Sequence, residues 1–252
     1  MNNNNYNYYI DLHCHYEDVS KDYLKRVFSE NSLISLTAST DFNSYLKLED
    51  IRNENIPNLF FAYGLYPEQV SIKSINECFE DLNKMNYSNA LAIGEIGLDY
   101  KLAKTTEQKS LQKQLFEKQL FLAESLNKPV IVHSRYATKD VLDILSSWKL
   151  KVVLHWFSGS LEELSYALDR NYFLTIRYNR PNIPDIKNHL FQLFIETDYP
   201  VPYNGLTPDV LDIKESYNVF CKQNNINLQE LQNQVFTNFC NLFPKVKNRL
   251  RL

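Results

Sequence analysis

The chain is predicted to fold as one (βα)8 TIM barrel with a metal site at the C-terminal mouth of its strands. Three observations predict it. Eight short apolar runs alternate with helical patterns along 252 residues, close to the ~250 residues such a barrel needs. No linker longer than an ordinary loop interrupts the alternation, so residues 1–252 read as a single domain. Five of the runs end in a histidine or a carboxylate. A barrel brings those strand ends to one mouth, whereas a doubly wound open sheet spreads them along an edge.

The opening stretch MNNNNYN is polar low complexity, and residues 1–7 are expected to form a flexible lead-in. The first strand ends in YYIDLHCH (8–15). Side chains alternate along a strand, so His13 and His15 share a face and Cys14 takes the other. SKDYLKRVFSE follows as a helix with Ser20 as its cap, then SLISLTAS (32–39) as a strand, a charged helix over 42–54, and NLFFAYG (58–64) as the third strand. After LYPEQV and a helix over 74–86 comes ALAIGE (90–95), which runs into the polar loop GLDYKLAKTTEQ. In the helix over 107–127, Leu111, Leu115, Leu122 and Leu126 fall within about 60° of one another, with Phe116 and Ala123 widening the stripe. Asn127 stops it and Pro129 opens strand five, PVIVH. A helix (138–147), strand six (151–155), a helix over SLEELSYALDR with a capping box from Ser160 and Glu163, and strand seven (172–176) continue the pattern. NRPNIPDIKNH is irregular or a short helix, FQLFIE (191–196) is strand eight, and helices over 207–224 and 228–240 close the chain.

Composition bounds the function. At 44% hydrophobic and 23% charged the chain can bury a sizeable core, and a net charge of −3 gives no global attraction to nucleic acid or to a membrane. Binding to a polyanion would need a local patch and its metal ions. No apolar run approaches the ~20 residues of a membrane span. The four cysteines, Cys14, Cys78, Cys221 and Cys240, are far apart, form no CxxC pair and follow no signal-peptide pattern, so they read as reduced thiols of a cytoplasmic protein. Glycine is scarce and asparagine abundant, which reads as a compositional bias.

Of five histidines, His13 and His15 end strand one, His133 ends PVIVH and His155 ends KVVLH; Glu95 follows LAIG and Asp198 closes FQLFIETD. These six exceed what one tetrahedral zinc needs. They suit two divalent ions ~3.5 to 4 Å apart bridged by a carboxylate, with Glu95 at a middle strand as the bridge. His13 and His15 would hold one ion with Asp198 beside it, and His133 and His155 the other. Asp198 is the candidate acceptor of a proton from the attacking water. Imidazole-rich ligation favours zinc, manganese, nickel or iron over magnesium without selecting one.

IDLHCH, GEIGLDY, QLFEKQLFLAESLNKPVIVHSR, LHWFSGS, ETDYP and VFTNFCNLF resemble, in order and spacing, the TatD-like metal-dependent deoxyribonucleases of the amidohydrolase superfamily, over about residues 10 to 243. The resemblance implies a (βα)8 barrel with a divalent metal pair, hydrolysis of DNA, commonly from the 3′ end, and ligands at the same six positions. LHWFSGS is also similar to TatD-like members of the Qat anti-phage systems and to archaeal relatives; a place in a defence or repair system would bring protein partners. This chain departs from the family at Tyr66 in GLYPEQ, where a histidine is usual, at PVPYNG, where relatives carry a longer Arg- and Gly-rich loop, and at RYNRPN after strand seven. The departures leave every proposed ligand in place and bear on the substrate.

Around these six, Arg135 could clamp a phosphate or pair with an acid. Ser158 and Gly159 could offer backbone N–H groups to a phosphate or merely start a helix. Asp11 and Asp99 either orient ligand histidines or cap turns. Tyr66, Trp156, Tyr178 and Tyr199 could stack bases or pack loops, and His189 reads as structural. The expected partner is single-stranded DNA or DNA ends. Two other functions compete: an amidohydrolase acting on a small amide, lactone or nucleobase, and a non-catalytic metal-bound binding subunit.

Overall fold

The short β-branched and aromatic runs all become strands, and they are buried on both faces, as parallel strands covered by helices must be. The computed structural model describes residues 6–177, 186–202, 205, 207–246 and 249–250. Among them β1 (Tyr9–Cys14), β2 (Leu33–Ala38), β3 (Leu59–Tyr63), β4 (Ala92–Gly97), β5 (Val130–His133), β6 (Val152–Leu154), β7 (Phe173–Ile176) and β8 (Leu193–Ile195) pair in parallel in chain order. Asp11 opposite Ile195 closes β8 onto β1. This is the expected (βα)8 barrel.

Helices α1 (Lys21–Glu30), α2 (Phe42–Arg52), α3 (Gln69–Ile72), α4 (Ile75–Lys84), α5 (Thr106–Ser125), α6 (Thr138–Leu145), α7 (Leu161–Asp169), α8 (Asp212–Asn224) and α9 (Leu228–Leu242) alternate with the strands. No described helix is long and apolar enough to cross a membrane. Capping boxes fix the starts of α2 (Asp41 and Ser44), α4 (Ser74 and Glu77), α5 (Thr105 and Gln108) and α7 (Ser160 and Glu163). Ser20 stands at the N-cap of α1 without a side-chain hydrogen bond, so the cap expected there is absent.

Four elements differ from the sequence pattern, one of them α8, which begins at Asp212 instead of near 207. The short α3 interrupts the loop after β3. A 3₁₀ segment, Ile186–Gln192, takes the first residues expected of the last strand, which begins at Leu193. The buried face of α5 is rotated from the leucine stripe: it comprises Gln112, Leu115, Phe116, Gln119, Leu120 and Ala123, while Leu126 is exposed. The two buried glutamines explain the rotation. Gln119 accepts from the Leu65 N–H at 2.7 Å and donates to the Leu65 carbonyl at 3.0 Å; Gln112 does the same for Asp99 at 2.9 and 3.2 Å. Each satisfies a loop peptide that would otherwise be buried unpaired.

At the N-terminus, Tyr6 stacks on Phe236 with ring centroids 3.9 Å apart, and residues 1–5 of the expected lead-in lie outside the described residues. Asparagine abundance has a conformational role. Among the described residues eight non-glycine positions have positive φ, and five are Asn55, Asn58, Asn127, Asn171 and Asn225, the residue type that tolerates the left-handed region best after glycine.

Candidate metal centre

Each of the six residues is delivered by the C-terminal end of a strand or by the turn just beyond it. A register shift in β4 between Ile93 and Ile96 re-aims Glu95 into the mouth. Beyond it Gly97, at φ 138°, passes so close to His133 that a Cβ would overlap the His133 carbonyl oxygen. A side chain there would push apart the two strands that carry Glu95 and His133. Asp198 sits in a left-handed turn (φ 53°) anchored to β1, its N–H donating to the His13 carbonyl at 3.0 Å.

The side chains converge around Glu95. Its Oε2 lies 3.6 Å from His13 Nε2 and 3.4 Å from His15 Nε2; its Oε1 lies 2.9 Å from His133 Nδ1 and 3.4 Å from His155 Nε2. One carboxylate therefore offers one oxygen to each histidine pair. Asp198 Oδ1 is 3.6 Å from both His13 Nε2 and His15 Nε2. Three overlapping triads have ligand atoms close enough to share an ion: His13, His15 and Glu95; Glu95, His133 and His155; and His13, His155 and Asp198.

Hydrogen bonds behind the cluster settle which nitrogen faces it. His15 Nδ1 donates to the Ala38 carbonyl at 2.9 Å, and His155 Nδ1 to Glu196 Oε2 at 3.0 Å. His133 is turned the other way, with Nε2 3.1 Å from Asp99 Oδ2 and Nδ1 toward Glu95. With a cation in place, each of these rings would keep a proton on the nitrogen turned away from the cluster and give the inward lone pair to the ion. His13 is fully buried and neither ring nitrogen has a hydrogen-bond partner. An imidazole stranded like this fits a cation between it and the carboxylates. The donor set of imidazoles and carboxylates suits a divalent ion such as zinc, manganese, nickel or iron.

The electrostatics agree. Burial would raise Glu95, but His155 and His13 hold it well below its ordinary value. Burial and the neighbouring His155 push His13 down. Burial also opposes charge on His15, His133 and His155, yet Asp198 and Glu95 hold His15 well above the imidazole range, Asp99 and Glu95 raise His133, and Glu196 and Glu95 raise His155 to about 9. Protons occupy positions that a cation would displace, so cation uptake weakens as pH falls.

The surrounding residues resolve the remaining alternatives. Asp99 accepts from Tyr66 Oη at 2.8 Å, from Arg135 Nε at 2.7 Å and Nη2 at 2.5 Å, and from His133; these partners overcome burial and hold its carboxyl well below the usual range. Arg135 is thus paired with an acid, and Tyr66 is a hydrogen-bonded neighbour of His133. Asp11 takes the turn-holding role: it accepts from Thr197 N at 3.0 Å and Oγ1 at 2.6 Å, with burial pushing it up to about 7. Ser158 and Gly159 line the cavity just ahead of the Ser160 cap of α7. Tyr199 packs on Tyr16, His189 lies in the 3₁₀ segment away from the mouth, and Tyr178 lies outside the described residues. Sequence reading missed Glu196, which is fully buried and orients His155; its only signal was a carboxylate two residues before Asp198.

Above the cluster opens a cavity of 1210 Å³, bordered by His15, Glu95, His133, His155 and Asp198 at its floor and by loops after several strands. Imidazoles and carboxylates converging at the mouth of a parallel barrel mark the metal-dependent hydrolases that use this fold. The model of the TatD related DNase family matches residues 10–244, and the protein belongs to that family. It is, with that family, a metal-dependent hydrolase. The uncharacterized metal-dependent hydrolase MJ1582 of Methanocaldococcus jannaschii is 26% identical over 94% of this chain and 97% of its own. Human deoxyribonuclease TATDN3 is 28% identical over 96% of this chain and 97% of its own. The crystal structure of YJJV, the TatD homologue of Escherichia coli K12, superposes with a TM-score of 0.80 at 24% identity, covering 94% of this chain and 98% of that one.

Proposed function

We propose that this protein hydrolyses phosphodiester bonds of DNA, working inward from the 3′ end of a single strand, with two divalent ions at the mouth. The observation that carries the reading is the division of Glu95 between two histidine pairs, one oxygen to each, at the floor of a deep cavity. His13, His15 and Asp198 would hold one ion, His133 and His155 the other, and Glu95 both. The bound ions supply polarisation of a water and of the scissile phosphate, and charge compensation on the leaving oxygen.

The chain's own groups do the rest. Asp198 Oδ1 faces His13 and His15, which leaves Oδ2 to take the proton of the attacking water. Asp99 holds Arg135 by Nε and Nη2, leaving Nη1 to contact a phosphate oxygen at the rim. The Ser158–Gly159 backbone, next to the α7 N-terminus, stands on the same wall. Cys14, Cys78 and Cys221 are buried thiols without a disulfide, which supports cytoplasmic action.

A chain end can descend to the floor, whereas a continuous strand or a rigid duplex must first bend sharply. A net charge of −3 gives no global attraction to a duplex, and salt dependence should be shallow, about −0.7 in log K per tenfold change in salt for each phosphate neutralised on single strands. A time course on matched linear and circular single-stranded DNA with Mg, Mn, Zn or Ni tests the reading. Degradation of the linear form alone is expected. Equal cleavage of both forms would overturn end-directed action, and no cleavage of either with any ion would return the site to a small amide, lactone or nucleobase.

A further inference from the structure

We infer that Tyr136 is a base-stacking platform at the rim of the mouth, gripping the strand beside the scissile phosphate while Lys101 and Lys139 track its backbone. The inference rests on the DNA reading above and deepens it.

The first observation is conformational. Five of the eight left-handed non-glycine residues are asparagines in outlying loops; the other three, Tyr136 (φ 57°), Trp156 (φ 41°) and Asp198 (φ 53°), all border the catalytic cavity. A bulky aromatic residue is disfavoured in this region. The chain uses asparagine wherever only the turn matters, so a tyrosine at 136 is retained for its ring. The turn itself is firmly held: Ala137 N–H donates to the Ser134 carbonyl at 3.0 Å, and Tyr100 N–H to the Arg135 carbonyl at 2.9 Å.

The second observation is exposure. Tyr136 is 77% exposed, the most exposed of the large hydrophobic side chains among the described residues. Among the described residues it stacks on no other ring and its hydroxyl has no hydrogen-bond partner. By contrast the neighbouring Tyr100 donates to Asp140 at 2.6 Å and carries Lys109 over its ring at 4.4 Å. Ile72 and Val201, also exposed, border the same cavity and extend its apolar rim. Exposed aromatic and apolar surface at the lip of a polar, cation-binding floor fits a ligand with flat apolar faces and anionic links, which is a single strand of DNA.

Charge gives the third observation. Lys113 behind the rim is paired with Asp140 at 2.7 Å, whereas Lys101 and Lys139, which border the cavity, have no ion-pair partner among the described residues. Lys139 lies in the first turn of α6, where the helix dipole opposes a cation. Free ammonium groups on either side of Tyr136 in sequence would meet the phosphates flanking a stacked base.

The test compares the parent with Tyr136→Phe and Tyr136→Asn on a linear single strand that the parent degrades. Tyr136→Asn should raise KM about tenfold with kcat within about twofold, and Tyr136→Phe should match the parent. Because asparagine suits the left-handed turn, Tyr136→Asn should also raise Tm by about 2 °C. Walking one abasic residue along the strand should find a position at which the parent's KM rises to that of Tyr136→Asn, with no further loss in the variant. Lys101→Gln with Lys139→Gln should flatten the salt dependence of binding to a labelled deoxythymidine dodecamer. Parental KM in Tyr136→Asn, or an abasic penalty equal in both proteins at every position, would overturn the inference while leaving the DNA reading intact. Failure of the parent to degrade any DNA would overturn the reading beneath it.

Discussion

The barrel body and the barrel mouth obey different rules. In the body most local choices agree with the fold: four capping boxes start helices, asparagines occupy the left-handed turns, and Gln112 and Gln119 close the hydrogen bonds of buried loop peptides. At the mouth the choices conflict with folding. His13 is buried with no hydrogen-bond partner, three non-asparagine residues take left-handed backbone, and Glu196 leaves Oε1 unpaired in a fully buried position. Departures from local consistency concentrate where function requires them, and the body supplies the rigidity that lets them persist. The contrast predicts that changes at the mouth alter chemistry with modest effects on folding, and changes in the body do the reverse.

Asp198→Asn should give the largest effect. The amide keeps the shape and a weak oxygen ligand but cannot take up a proton, so kcat should fall by ~10² to 10⁴ with a smaller change in substrate binding, measured by single-turnover kinetics. Near-parental turnover would move the proton acceptor elsewhere. Glu196→Gln tests the support behind His155. Loss of the charged acceptor at His155 Nδ1 should weaken metal affinity by ~10- to 100-fold, read by competition with a chelating dye, and activity should recover at saturating metal. An unchanged affinity would mean that packing alone orients the ring. Gln119→Leu is the control from the body. It leaves the Leu65 N–H and carbonyl buried and unpaired, which should cost about 1 to 3 kcal/mol in urea denaturation with metal affinity held within about tenfold of the parent. A larger loss of metal than of stability would erase the distinction between the two regions.

The barrel and the convergence of six side chains at its mouth were legible in the sequence because both rest on periodicity. Apolar runs ending in His13, His133, His155, Glu95 and Asp198 state where strands stop and what faces the mouth. What was not legible depends on contacts between distant segments. The leucine stripe misplaced the buried face of α5 because Gln112 and Gln119 are buried by partners 13 and 54 residues away. Glu196 looked like a strand residue until β8 was set beside His155, and Asp11 and Asp99 were separable only by their partners, Thr197 for one and His133 with Arg135 for the other. Asparagine abundance read as bias because its use is a matter of φ, which composition does not carry.

The claim at the centre is that Glu95 divides its oxygens between two ions, each held by a histidine pair. Metal content of purified protein, measured by plasma mass spectrometry for the parent and for a His133→Ala, His155→Ala double variant, tests it most directly. Two ions per chain in the parent and one in the variant, with unchanged circular dichroism, is the expected result. Equal metal content in the two proteins would contradict it.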